Sequence, residues 1–149
     1  MICSRSIAEL EPMTRFRVQE LLKSATSQGI DLLVTSTYRD FEQQQALYNV
    51  GRTVKGANPR LLRPMGDKVT NATPGSSWHN WACAVDVVPI VGGKAAWNDS
   101  ALWAEIGAIG EAEGLEWAGR WKSFKELAHF QYPNGNTLAN LLQLHPKGL

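Results

Sequence analysis

Along the first third of the chain the apolar positions change period twice. Val18, Leu21, Leu22 and Ala25 recur at helical spacing behind Pro12, whose fixed φ suits a first helical turn, and Gly29 stands where a helix would stop. This predicts a helix near 12–27. Ile30 to Thr37 is rich in β-branched and apolar residues and short enough for a strand that ends at Tyr38-Arg39. A second helix is expected over about 41–50, closed by Gly51. From Arg52 to Ser76 the sequence turns to Gly, Pro, Asn, Thr and Lys without a sustained period, which predicts a long loop with room for a short strand near Val69. Loops of that length in a small domain are commonly functional.

Cys83 to Ile90 is an apolar, β-leaning run expected to form a central strand, with Pro89 marking its end. After the Gly92-Gly93 turn, Asn98 or Asp99 can cap a third helix whose Leu102, Trp103, Ile106 and Ile109 share one face, and Gly114 ends it. Leu115 to Trp121 and Ala128 to Tyr132 read as two further strands around a short turn or helix at 122–127. A last helix from Thr137 to Leu144 is expected to pack its leucines on the core. Helices and strands without regular alternation favour the α+β class over a doubly wound fold. The expected form is one small domain over 1–149, with a mixed or antiparallel sheet flanked by helices and one long active-site loop. At 149 residues, 44% hydrophobic, the chain can bury one sizeable core.

Charge and cysteine usage narrow the setting. Fifteen Lys and Arg against fourteen Asp and Glu leave a net charge of +1, without the basic footprint of a nucleic-acid binder. The start, broken by Arg5 and Glu9, lacks the apolar core of a signal peptide, and no run approaches a membrane span, so synthesis in a reducing cytoplasm without membrane insertion is expected. Two cysteines, Cys3 and Cys83, are too few for a disulfide scaffold. A bridge between them is the alternative to one exposed thiol and one core residue.

Asp86 is the most informative anomaly, because it interrupts the apolar run Cys83-Ala84-Val85-Asp86-Val87-Val88. Burying an unpaired carboxylate there would cost several kcal/mol, on the order of 2–7 for even a neutral polar group. A cation, a buried Arg or a strand face open to a cleft would each resolve it. His79 lies seven residues earlier behind Pro74-Gly75, where the loop can fold it back to the strand. In Glu126-Leu127-Ala128-His129 a carboxylate and an imidazole three residues apart can face one cleft from a turn. Catalytic zinc takes three protein ligands and keeps one open position, and His79, Asp86 and His129 supply that number and type. Glu126 is then left over as a general base, against the alternative of a solvated surface charge. Arg39, at a strand-to-helix junction, could clamp a carboxylate or an oxyanion, or pair with Asp40 or Glu42. Trp78, Trp81 and Trp117 are candidates for a groove or for core.

These residues resemble a known family, the zinc D-alanyl-D-alanine carboxypeptidases and L-alanyl-D-glutamate endopeptidases that include VanY- and VanX-type enzymes and several bacteriophage endolysins. Ser77, His79, Ala84 and Asp86 fall in register on the family signature Ser-x-His-x-x-Gly-x-Ala-x-Asp, with Ala82 at the family glycine. Arg39 and Gln44 fall on an upstream Arg-then-Gln segment, and Glu126 to Gln131 on an acidic-x-x-His-Phe-Gln stretch. The resemblance implies Zn2+ on His79, Asp86 and His129, Glu126 as base, and Arg39, Gln44 and Ser77 in substrate binding. Trp121 to Phe130 looks most like the endolysin branch. That implies a monomeric peptidase acting on peptidoglycan at the L-alanyl-D-glutamate bond, made in a host cytoplasm and released through a separate membrane-permeabilising protein. A D-alanyl-D-alanine carboxypeptidase is the nearest alternative, and a non-catalytic wall-binding module a more distant one.

Overall fold

The computed structural model describes residues 1–149. Helix α1 (Pro12–Ser27) starts with Pro12 in its first turn and Glu11 accepting from the Met13 and Thr14 amides, and it buries Thr14, Val18, Leu21 and Ala25. Strand β1 (Asp31–Ser36) follows, then α2 (Phe41–Asn49), which Asp40 caps through the Gln43 amide. The segment between Val50 and Ser77 contains no helix or strand, only isolated bridges Val50 to Val54 and Arg60 to Arg63. The option of a strand near Val69 is therefore corrected: this stretch is loop, held by Arg52 donating to the Tyr48 and Thr70 carbonyls.

Strand β2 (Ala84–Val91) turns through Gly92-Gly93 into β3 (Lys94–Ala95), and α3 (Ser100–Ala112) is capped by Asp99. Short strands β4 (Glu116–Trp117) and β5 (His129–Gln131) complete the sheet, and α4 (Leu138–Leu144) ends the chain's regular structure. All pairings are antiparallel, in the order β1-β2-β5-β4 with β3 beside β2. The class is α+β, with a five-stranded open sheet and four helices. No helix is long and apolar enough to cross a membrane.

Of the strand expected over Leu115 to Trp121 only Glu116–Trp117 forms, because a 3-10 turn at Ala118–Arg120 follows it, and two more expectations fail for physical reasons. Pro89 does not end its strand: it sits inside β2 opposite Leu32. Its carbonyl accepts from Ala96, so the missing N–H faces away from β1, in the gap between β5 and the start of β3, and the β1 ladder loses nothing. Helix α4 buries none of its residues and does not pack its leucines on the core. Leu142 instead rests against Gly75, and Leu138 borders a cleft.

Period-2 alternation divides the sheet's work between its faces. Val85, Val87, Trp117 and Phe130 point to the core with α1 and α3, while Asp86, His129, Gln131 and Glu116 alternate with them. Gly107 and Gly110 on α3 are notches for the Trp117 and Phe130 rings, which a Cβ at either position would overlap. Gly110→Ala would gain about 1 kcal/mol of helix propensity but force an overpacked core costing about 3 kcal/mol. The expected net loss is roughly 2 kcal/mol, a fall in Tm of about 4–8 °C at this chain length, measurable by thermal unfolding.

Candidate metal centre

The sheet register itself assembles the site. Asp86 on β2 is the direct cross-strand partner of His129 on β5 and of Ser36 on β1, so one row of side chains crosses three strands. His79 arrives from the 3-10 turn Trp78–Trp81, which Ser77 caps by accepting from the His79 amide. The backbone of Arg39 locks this turn to the end of β1: its N–H donates to the His79 carbonyl at 3.0 Å and its carbonyl accepts from Asn80 Nδ2 at 2.9 Å.

His79 Nε2 lies 3.2 Å and His129 Nδ1 lies 3.1 Å from the same atom, Asp86 Oδ1. One ligand atom from each of the three residues falls within 4.8 Å of the others. Both imidazoles are buried, and the Asp86 side chain is 25% exposed toward a cleft of about 930 Å³. No arginine pairs with Asp86, so of the three ways to accommodate its carboxylate the structure uses the histidines and the open cleft.

Whether the group fits a cation is decided by His79. Its Nδ1 donates to the Thr37 carbonyl at 2.7 Å, which leaves Nε2 as a lone-pair acceptor. That buried Nε2 has no hydrogen-bond partner and faces a carboxylate oxygen, itself an acceptor. Two acceptors that close call for a cation between them. A tetrahedral zinc centre with bonds of about 2.0–2.1 Å sets neighbouring donors about 3.3 Å apart, near the two imidazole-to-carboxylate separations found. The donor set fits such an ion.

Electrostatics follow the same contacts. Burial opposes ionisation of Asp86, yet the electrostatic attraction of the His79 ring and the hydrogen bond from His129 outweigh it and hold the carboxyl far below the usual carboxylate range. Burial likewise disfavours the charged form of His129, but the hydrogen bond and charge of Asp86 prevail and raise its pKa above the ordinary value. Without a metal, the raised His129 pKa stabilises the fold below its unfolded value of about 6.5 and that gain fades as pH rises through the folded value; the lowered Asp86 pKa stabilises it above about 4 and is lost on acidification. The pair's contribution to the Tm of the metal-free protein is therefore expected to peak between about pH 4 and 6.5 and to decline as pH rises further through the folded His129 value. A metal-free Tm that climbs steadily over that range would contradict the pairing.

Around this centre, Glu126 lines the cleft with its side chain 57% exposed and Oε2 3.7 Å from His129 Nδ1. Arg39 also lines it, its Nη1 donating to Gln44 Oε1 at 3.0 Å and Nη2 to Ser36 Oγ at 3.3 Å. Gln44 is fully buried and donates its amide to the Ala72 carbonyl, so it stands behind Arg39 and ties it to the long loop; it cannot touch a substrate. That corrects its expected place among the substrate-binding side chains. Ser77 does line the cleft. Trp78 belongs to the cleft, whereas Trp81 and Trp117 are buried with their indole N–H groups donating to the Gly75 and Leu127 carbonyls. Cys3 and Cys83 are both free, one exposed and one buried, which removes the bridge. His145 lies beside Trp81 with the rings tilted at 45°, outside the site.

Residues 8–132 match the VanY family, described as D-alanyl-D-alanine carboxypeptidase. The chain belongs to this family. The peptidoglycan L-alanyl-D-glutamate endopeptidase CwlK of Bacillus subtilis (strain 168) is 32% identical over 133 residues, 83% of this chain and 74% of that protein. Among solved structures, the L-Ala D-Glu endopeptidase ChiX of Serratia marcescens superposes with a TM-score of 0.64 at 20% identity, covering 93% of this chain and 91% of that one. A VanY D,D-pentapeptidase from a VanB-type resistance cassette, in complex with Zn(II), superposes at 0.61 with 17% identity, over 96% and 84% of the two chains. Membership makes the chain a peptidase, and it explains Ala82: at the signature glycine the backbone turns left-handed, φ 56°, to end the 3-10 turn that carries His79. An alanine there accepts a conformation that costs an L-residue about 1–2 kcal/mol.

Two contributors to the site were given no role by the sequence reading, although Gln131 closes the matched His-Phe-Gln stretch. Gln131 lies two residues past His129 on the same strand face, and Trp121 packs 5.8 Å from the His129 ring at the cleft wall. Period-2 counting from His129 would have placed Gln131 beside it.

Proposed function

We propose that the protein is a zinc-dependent peptidase of peptidoglycan stem peptides that cuts the L-alanyl-D-glutamate bond. The observation that carries the metal is the partnerless Nε2 of His79 facing Asp86 and His129. The choice of bond is supported by CwlK, whose name gives that activity and whose sequence matches over most of this chain. Bound zinc would lower the pKa of water toward about 7 and polarise the scissile carbonyl.

The chain's own residues do the rest. Asp86 and the two imidazoles would hold the ion. Glu126, exposed to the cleft and near the His129 edge of the centre, accepts a proton from the attacking water and delivers it to the leaving amine. Arg39, held in place by Gln44 and Ser36, offers its guanidinium to a substrate carboxylate or to the charge that develops on the carbonyl oxygen. Lys68 and Lys125 add positive charge to the cleft walls, in keeping with an acidic stem peptide.

The test is the product. Purified sacculi and intact stem peptides are expected to yield new amino termini on glutamate; release of free D-alanine alone would instead establish the carboxypeptidase reading that the family description carries. We also infer that the protein acts as a monomeric lytic enzyme of the endolysin type, released to the wall by a separate permeabilising protein. This rests on the Trp121 to Phe130 segment's resemblance to that branch. Cells making the protein should lyse only when their inner membrane is permeabilised. Intact growth after permeabilisation would oppose this role.

A further inference from the structure

We infer that Gln131 and Glu116 are positioning residues that decide which nitrogen of His129 is offered to the metal, an inference that rests on the metal centre proposed above. An imidazole has two nitrogens, and in its neutral form only one carries a lone pair. His129 Nδ1 faces Asp86 at 3.1 Å and Nε2 faces Gln131 Oε1 at 2.9 Å. A carbonyl oxygen can only accept, so Gln131 favours the ring form with hydrogen on Nε2, the form that leaves the Nδ1 lone pair free for the ion, whereas Asp86 alone would favour hydrogen on Nδ1.

This argument needs the Gln131 amide to point its oxygen, not its nitrogen, at His129. Glu116 supplies the reason. Gln131 Nε2 donates to Glu116 Oε2 at 2.9 Å. Rotating the amide by half a turn would set its oxygen against a carboxylate and its NH2 group against His129, losing one hydrogen bond and opposing two acceptors. Antiparallel pairing delivers the whole row: Glu116 is the direct cross-strand partner of Gln131, and Asp86 that of His129. The order Glu116, Gln131, His129, Asp86 is thus written into the register of three strands.

The other histidine ligand is oriented by a different device. His79 gives its Nδ1 hydrogen to the Thr37 backbone carbonyl and presents Nε2. The two imidazoles therefore meet the centre through opposite nitrogens, one set by main chain and one by a pair of side chains. Glu116 is exposed and Gln131 is buried with both ends of its amide used, so neither is placed to take part in peptide cleavage itself. Partners of this kind typically contribute 10–100-fold in metal affinity.

The test pairs zinc affinity, by competition with a chromophoric chelator, with 15N NMR of the His129 ring at a pH where it is neutral. Gln131→Leu removes the acceptor at similar volume. It is expected to weaken zinc binding by about 10–100-fold and to shift the neutral, metal-free His129 ring toward hydrogen on Nδ1, which Asp86 accepts, whereas the wild type holds a larger share with hydrogen on Nε2. Glu116→Ala, an exposed change that leaves the core intact, should give a smaller loss in the same direction. In the Gln131→Leu background Glu116→Ala should cost nothing further, because the relay is already broken. Wild-type affinity and a wild-type tautomer balance in both single variants would overturn the inference. So would additive losses in the double variant. If the wild-type chain takes up no zinc, the metal reading fails with it; if zinc binds but tautomer and affinity ignore Gln131 and Glu116, only the relay fails.

Discussion

Asp86→Ala is expected to abolish zinc binding and to reduce cleavage of stem peptides to background. Asp86 Oδ1 is the one atom that both imidazoles approach, at 3.2 and 3.1 Å, so its removal takes away a ligand and the negative charge that offsets the ion. The loss should also appear in stability. Added zinc at about 1,000 times its Kd would stabilise the wild-type chain by about 4 kcal/mol, roughly 8–16 °C in Tm for a domain of this length. The Asp86→Ala chain should show no such rise. A zinc-dependent Tm increase of wild-type size in that variant would place the ion elsewhere.

Glu126→Gln is expected to separate binding from turnover. Its carboxylate is outside the trio of ligand atoms and more than half exposed, so zinc content and zinc affinity should remain close to wild type. Proton transfer by a positioned side chain contributes about 10²–10⁴-fold to rate, and kcat should fall by about that factor. Loss confined to KM would make Glu126 a binding group, and a variant cutting at wild-type rate would remove it from the mechanism. The contrast between the two variants is the useful result: one loses the metal and with it the reaction, the other keeps the metal and loses only the reaction.

The pH behaviour of the loaded and metal-free protein should also diverge. Zinc must displace the proton that Asp86 helps to keep on His129. Stabilisation by zinc therefore grows as pH rises through the His129 value, while the pair's own contribution to the metal-free chain declines over the same interval.

How much of this was legible beforehand depended on whether a residue breaks its local pattern. Asp86 interrupts an apolar strand, so its need for partners could be read directly, and the signature shared with one family placed His79 and His129 beside it. The helices α1 and α3 announced themselves by period, the strands β1 and β2 by their β-branched, apolar runs, and the α3 cap Asp99 by residue type. Gln131 and Glu116 broke no pattern: a glutamine and a glutamate near short strands look like ordinary polar positions until register places them in one row. Gln44 suggested a substrate contact, but only the packing of α2 against the long loop shows that it is wholly buried. Pro89 misled because the cost of a missing N–H depends on which neighbour that edge faces, a tertiary fact. The leucines of α4 share helical spacing but meet a loop and a cleft rather than the core, and spacing alone does not say what lies opposite a helix.

The central claim is that a metal held by His79, Asp86 and His129 makes this cleft a peptidase. Digestion of purified peptidoglycan by chelator-stripped protein, before and after one equivalent of zinc per chain is restored, tests it most directly. The account predicts no cleavage by the stripped protein and recovery of glutamate amino termini on adding zinc. Cleavage that proceeds equally well in the presence of chelator would contradict it.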